Sequence, residues 1–398
     1  MNLSLSKLVN NLAESETLAM SRRSRELRAQ GIDVITLSLG EPDFNTPDFI
    51  KDAAKIAIDN NLTHYTPVAS YIELRQAISR KFKRDNNLDY APEQIVVSTG
   101  AKQSIANVVF SLVDQGDEVL LPVPYWVSYR EIIKMAGGIV KEIKSDISTN
   151  YKIDFSKLGD HITEKTKLMI FSSPCNPSGT VFSKEELREL ADVMLKYPQL
   201  YVISDEIYEY ISYTKTHESL AQFDEIKDRV ITVNGVSKGF AMTGWRVGYI
   251  GASLEIAKAT EKIQGQVTSG TCSIAQKAAQ AAVEADPSVT KDMVDAFLSR
   301  RNLMNDLIKE IPGIKSNVPE GAFYLFPDIS HYFGTSAGSY KIDNAENICD
   351  YILNEGHVAV VPGSAFGSPE CIRISYAASE DMIKEAINRI KNVLTKLK

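Results

Sequence analysis

The chain has 398 residues, 44% of them hydrophobic and 24% charged, and a net charge of −7. That length and mix give a soluble protein with a sizeable core, enough for a large α/β domain plus a smaller one. The acidic balance, with no basic tract interleaved with aromatics, excludes nucleic acid as a partner. The four cysteines lie far apart without a Cys-x-x-Cys pair, and the five histidines show no ligand spacing, which argues against a disulfide scaffold or a metal site. No run approaches eighteen apolar residues, so nothing is expected to span a membrane. The N-terminus lacks the apolar core of a signal peptide, and the basic run at 21–25 is flanked by Glu14, Glu16 and Glu26, unlike a transit peptide. The cytoplasm is the expected compartment.

Strand-like runs rich in β-branched residues fall at 34–39, 94–98, 118–121, 168–172, 200–204, 230–233 and 246–250. Helical patterns lie between several of them, including 102–112 and 184–195. The second opens on Ser183 with Glu186 three residues on, a capping box. This alternation predicts a mainly parallel sheet covered on both faces, with ligands collecting beyond the carboxyl ends of its strands. The rhythm changes near Asp286-Pro287, where a long helical pattern runs to about Ile311. A second β/α mixture and a final helix follow. The expected division is an N-terminal segment (1–45) packing with the small domain, a large domain (46–288), and a small domain (289–398) entered through the long helix. The small, polar segment 333–339 reads as a mobile loop.

Five motifs fall at or near predicted strand ends. Ser98-Thr99-Gly100-Ala101-Lys102-Gln103 joins a strand to a helix, and its free N–H groups offer a cradle for an anion. Asn176 stands between Pro174 and Pro177, in a loop stiffened by both. Asp205, Glu206 and Tyr208 follow a buried-looking strand. A carboxylate there would keep a pyridine nitrogen protonated, and Tyr208 could donate to a ring oxygen. Asp205 and Glu206 point to opposite faces if the strand continues, and strand phase does not choose between them. Glu206 is read as a solvated carboxylate at the strand end. In the run Ser237 to Arg246, a lysine follows a strand, flanked by a serine and a glycine, with an arginine eight residues on. A desolvated Lys238 amine would form a Schiff base with an aldehyde, while Ser237 and Arg246 suit a phosphate. Pyridoxal phosphate has both groups; a solvated surface lysine is the alternative. Finally, Arg373 lies in an apolar strand-like run and needs a partner, either a substrate carboxylate held bidentately or a structural salt bridge.

Together with 38–44 (Ser-Leu-Gly-Glu-Pro-Asp-Phe), Tyr65 and Pro124-Tyr125-Trp126, these motifs resemble the class I (fold type I) pyridoxal-phosphate aminotransferases, most closely the bacterial-type aspartate aminotransferase subgroup. The match covers nearly the whole chain. The resemblance implies a fold type I α/β architecture with a mainly parallel seven-stranded sheet and a smaller α+β domain. It implies Lys238 as the Schiff-base lysine and later proton shuttle, and chooses Asp205 for the pyridine nitrogen. Asn176 and Tyr208 would hold the ring oxygen and Trp126 the ring face. Gly100, Ala101, Lys102, Ser237 and Arg246 would surround the phosphate, and Arg373 and Gly40 would receive the substrate α-carboxylate. Tyr65 is expected to reach the phosphate of the neighbouring subunit, so a homodimer with shared sites is implied.

The implied reaction is a ping-pong transamination, with L-aspartate and 2-oxoglutarate as the leading pair, giving oxaloacetate and L-glutamate. In the resembled subgroup a lysine at the position of Lys102 and a threonine at that of Thr17 can meet an acidic side chain. Relatives that use prephenate carry a basic residue and a proline where this chain has Ala13 and Glu14, so aspartate is expected to be preferred. The same fold also supports C–S lyases and aminotransferases of aromatic or neutral amino acids.

Overall fold

The computed structural model describes residues 4–213 and 216–398. Its centre is a seven-stranded sheet of β1 (Ile95–Ser98), β2 (Glu118–Pro122), β3 (Ile139–Ile143), β4 (Thr166–Ser172), β5 (Tyr201–Asp205), β6 (Val230–Gly235) and β7 (Gly248–Gly251). The spatial order is β1-β7-β6-β5-β4-β2-β3. Only β7 runs against the rest, pairing antiparallel with β1 and β6.

Successive strand residues point to opposite faces, and both faces are covered. Val97, Leu120, Met169, Val202 and Val230 enter one apolar core, and Val96, Val119, Leu121, Ile170, Ile203 and Ile231 the other. The expected capping box is present: Glu186 N donates to Ser183 Oγ and Ser183 N to Glu186 Oε2, opening the helix Lys184–Lys196.

A third core joins the two ends of the chain. Met20, Val34, Ile35 and Leu37 pack with Phe297, Ile308, Ile348, Ile372 and Ile387. The helix Lys291–Lys309 buries Met293, Phe297, Met304 and Ile308 on one face, a stripe at four- and seven-residue spacing. Beyond it, Tyr324–Leu325, Val361–Pro362 and Ile372–Ser375 form a small antiparallel sheet.

Two expectations are corrected. The run at 34–39 is not a strand of the main sheet; only Ile35–Thr36 is extended, pairing in parallel with Val358–Ala359. The seventh main-sheet strand is β3, whose mixed Lys141 and Glu142 suit an exposed sheet edge and hide its strand character. The segment 333–339 is not a loop throughout, because Thr335–Ala337 and Tyr340–Ile342 pair as a hairpin turning at Gly338, φ 57°.

The topology sends the motifs of the main sheet to one edge. Ser172 lies beside Asp205, and Asp205 beside Val233, at the carboxyl ends of their strands. Because β7 runs the other way, Arg246 enters it from this same edge, where Gly248 is paired with both Ser98 and Gly235.

Candidate active site

A cavity of about 320 Å³ opens at that edge. Lys238 stands in its wall, and its Nζ donates to the carbonyl of Gly40. Burial pulls the amine down to about 8, and the positive charges of Arg373 and Arg246 push in the same direction against Glu41 and Asp205. Thus Lys238 is closer to a free amine near neutrality than a solvated lysine would be.

One end of the cavity is an anion cradle. The helix Ala101–Leu112 starts directly after Gly100, so its first N–H groups have no helical acceptor. Gly100 adopts φ +86°, and a Cβ there would lie 2.3 Å from Arg246 Nη2. Glycine therefore lets the guanidinium close over the turn. Ala101, Ser237 and Arg246 line this end. Arg246 is itself held by a 2.9 Å hydrogen bond from Nη1 to the Thr243 carbonyl.

Asp205 lies across the cavity, fully enclosed. Burial raises its carboxyl to about 6, while hydrogen bonds from Tyr129 and from Ile207 N pull it back down. Tyr129 Oη reaches Asp205 Oδ2 at 2.5 Å and Ile207 N reaches Oδ1 at 3.2 Å. Tyr208 is also buried, 2.7 Å hydroxyl to hydroxyl from Tyr324.

Arg373 is 2% exposed, yet among the described residues no carboxylate pairs with it. Nη1 donates to Asn176 Oδ1 at 3.0 Å, Nη2 to the Ser38 carbonyl at 2.7 Å, and Nε has no acceptor. Tyr324 and Phe366 sandwich the guanidinium, with ring centroids 4.4 and 5.0 Å from Cζ. The structural salt bridge is therefore excluded among the described residues. Removing a cation from water without a counter-charge is costly, and an incoming anion would offset that cost.

Trp126, Asn176, Tyr208, Gly40 and Thr17 line the same cavity. Lys102 stands at the opening, its Nζ 4.9 Å from the Trp126 ring centroid. Partial desolvation and Arg246 lower its amine. Tyr65 is not brought to this cavity; it is 100% exposed.

A family model described as aminotransferase class I and II matches residues 32–390. The chain belongs to this family. It is 46% identical over its whole length to a bifunctional aspartate aminotransferase and glutamate/aspartate-prephenate aminotransferase of Petunia hybrida, covering 84% of that protein. It is 43% identical to an aspartate aminotransferase of Bacillus subtilis, over 99% of this chain and 100% of that one. The crystal structure of the Rhizobium meliloti aspartate aminotransferase superposes with a TM-score of 0.96, at 39% identity and full coverage of both chains. That of Thermus thermophilus with maleate gives 0.91 at 36% identity, over 98% and 100% of the chains. The architecture is thus fold type I, and the protein is an aminotransferase.

Two residues of this aminotransferase site escape sequence reasoning. Tyr129 lies in a helix 76 positions from Asp205, and Tyr324 is 116 positions from Tyr208. No local pattern pairs them. A third assignment is corrected: Glu206 is not solvated. It is wholly buried, accepting from Ser204 Oγ at 2.9 Å and Ser219 Oγ at 2.7 Å, with His217 Nε2 at 3.0 Å. Glu206 continues the alternation of β5 and faces the opposite side from Asp205, where serines and a histidine replace solvent.

Proposed function

We propose that this cavity transaminates L-aspartate with 2-oxoglutarate, using pyridoxal 5'-phosphate. Members of the family generally depend on that cofactor, and the residues present fit it. The Gly100 turn, left open for Arg246, suits the phosphate together with Ser237, Ala101 and Lys102. Asp205 suits a protonated ring nitrogen, Tyr208 and Asn176 the ring oxygen, and Trp126 the ring face. When bound, the cofactor supplies an aldehyde carbon that condenses with amines and a ring that draws off the electron pair at the substrate Cα.

The chain's own groups do the rest. Lys238 Nζ, already depressed toward neutrality, takes the proton from Cα and returns it. Asp205, held by Tyr129, keeps a positive charge on the ring nitrogen. The Arg373 fork receives the α-carboxylate, with the Gly40 backbone beside it. Lys102 and Thr17 stand at the mouth, where a side-chain carboxylate would emerge. The observation that carries this reading is one cavity holding a depressed lysine and a buried arginine without a carboxylate partner.

Tyr65 completes the site of a second copy. Its full exposure supports this, as does an open concavity of about 680 Å³ bordered by Arg246, Trp245 and Thr271. The chain is read as a homodimer with shared sites. Separate apolar cores support a large domain at 46–288 and a small domain at 289–398 joined by residues 1–45. No helix among the described residues is long and apolar enough to cross a membrane. Four free cysteines, three of them buried, suit a reducing cytoplasm.

Aspartate is preferred over prephenate, because Ala13 and Glu14 replace the basic residue and proline of prephenate users. Glu14 instead pairs with Arg22. Mixing the loaded protein with single amino donors and following the cofactor absorbance tests donor choice directly. Fast conversion by aspartate and glutamate is expected. Conversion by aromatic or neutral donors alone overturns the substrate assignment.

A further inference from the structure

Gln276 lies outside the cavity and is wholly buried in the helix Ser273–Glu284. Every hydrogen-bonding position of its amide is used. Oε1 accepts from Ser70 Oγ at 2.7 Å and Tyr71 N at 2.9 Å. Nε2 donates to Thr66 Oγ1 at 3.0 Å and to the Thr271 carbonyl at 2.8 Å. Three of these four partners belong to the segment 62–71, which carries Tyr65 between the helices Asp48–Asp59 and Ile72–Asn86.

That segment has reason to need a clamp. Ser70 is held at φ 103°, a conformation that non-glycine residues rarely adopt. Gly270 packs against it so closely that a Cβ would meet Thr66 Oγ1 at 2.3 Å. The fourth partner of Gln276 leads back to the anion cradle: Thr271 Oγ1 lies 3.1 Å from Thr99 Oγ1, beside Gly100. One amide therefore fixes both the Tyr65 segment and the turn that supports this subunit's own cradle.

We propose that Gln276 is a positioning residue for cofactor retention, setting the segment from which Tyr65 reaches the second copy's phosphate. This rests on the Tyr65 reading above. A core glutamine serving stability alone would lower the melting temperature of every form of the protein. It would not act through Tyr65.

The test is a double-mutant cycle on cofactor affinity, measured by titrating the apo dimer with pyridoxal 5'-phosphate, with the apo melting temperature followed in parallel. Thr66→Val removes the acceptor of Gln276 Nε2 at a half-buried site, along with the hydroxyl's local bond to the Pro67 carbonyl, and Gln276→Glu keeps the shape while removing both donors. Each is expected to weaken cofactor binding about five- to tenfold, the effect of about one lost hydrogen bond. In a Tyr65→Phe background the same changes are expected to add nothing. If Tyr65→Phe weakens binding but Thr66→Val does not, or adds to it in full, the role of Gln276 is overturned while that of Tyr65 stands. If Tyr65→Phe leaves affinity unchanged, the Tyr65 reading fails and this proposal with it. Should Gln276→Glu not fold, Thr66→Val decides alone.

Discussion

Tyr129 Oη and Asp205 Oδ2 are 2.5 Å apart in a fully enclosed site, and among the described residues only one other donor, Ile207 N, reaches that carboxylate. The tyrosine works against the burial that raises Asp205 to about 6. Tyr129→Phe removes this hydrogen bond without opening a large cavity. Its carboxyl should titrate higher, and cofactor affinity at pH 7 should fall about tenfold to a hundredfold, the range for hydrogen bonds to charged groups. Equilibrium titration of the apo protein from pH 6 to 8 measures this. Unchanged affinity across that range counts against Asp205 as the ring-nitrogen partner.

Arg373→Lys keeps the charge but loses the planar fork. Catalytic efficiency with aspartate should drop about a hundredfold or more while the bound cofactor's absorbance stays as in the parent. Steady-state kinetics beside a spectrum separates the two effects. A variant with intact kinetics assigns the substrate carboxylate elsewhere.

Lys102→Ala should discriminate among donors. Without the amine beside Trp126, kcat/KM for aspartate should fall about tenfold to a hundredfold, with alanine changing far less. An equal loss for both donors makes Lys102 a part of the cofactor cradle only.

The pH dependence of Lys238 has a definite sign. Its amine is lowered from the usual lysine range to about 8, so the folded apo chain binds fewer protons than the unfolded chain between those values. Burying the charged amine therefore costs apo stability by a constant amount below about 8, and that cost is relieved as pH rises from there towards the usual lysine range. Only the neutral amine reacts, so cofactor capture should quicken about tenfold per pH unit below 8 and level off above. Stopped-flow loading of the apo protein reads this. A rate that keeps climbing tenfold per unit beyond pH 9 rejects a depressed amine.

The buried pair Glu206–His217 predicts a different titration. Burial works against protonating His217, but the hydrogen bond and charge of Glu206 outweigh it and raise the imidazole. A raised histidine stabilises fully below its unfolded value and loses that stability as pH rises through its folded value. Glu206→Gln should lower the apo melting temperature most near pH 5.5 and least near pH 8.5, with about 1.5–3 kcal/mol lost at the acid end. A pH-independent difference rejects a charged pair.

The parts legible in the sequence were those written locally. Ser183 and Glu186 announce a helix start because both partners of the capping box lie three residues apart. Gly100, Asn176, Asp205 and Lys238 stand at strand ends that β-branched runs mark on their own. The parts that stayed hidden depend on what the chain folds against. Glu206 looks solvated until Ser204, His217 and Ser219 are brought to it. Strand β3 carries Lys141 and Glu142 because a sheet edge tolerates them, and 335–342 becomes a hairpin through pairing rather than composition. Gln276 is one of two glutamines in an alanine-rich helix, with nothing nearby to say that four partners meet it.

Lys238 and Arg373 share an unusual support: each donates to a main-chain carbonyl of one short stretch, Gly40 and Ser38. The Ser38 hydroxyl itself has no partner among the described residues. What these cations require of residues 38–40 is therefore the course of the backbone rather than the chemistry of a side chain. At Ser38 a change of amino acid spares the acceptor. Adding or removing one residue between 37 and 41 shifts both acceptors at once, so the stretch should keep its length while position 38 drifts; Gly40 should not, because a Cβ there would meet Tyr324 Oη at 2.7 Å.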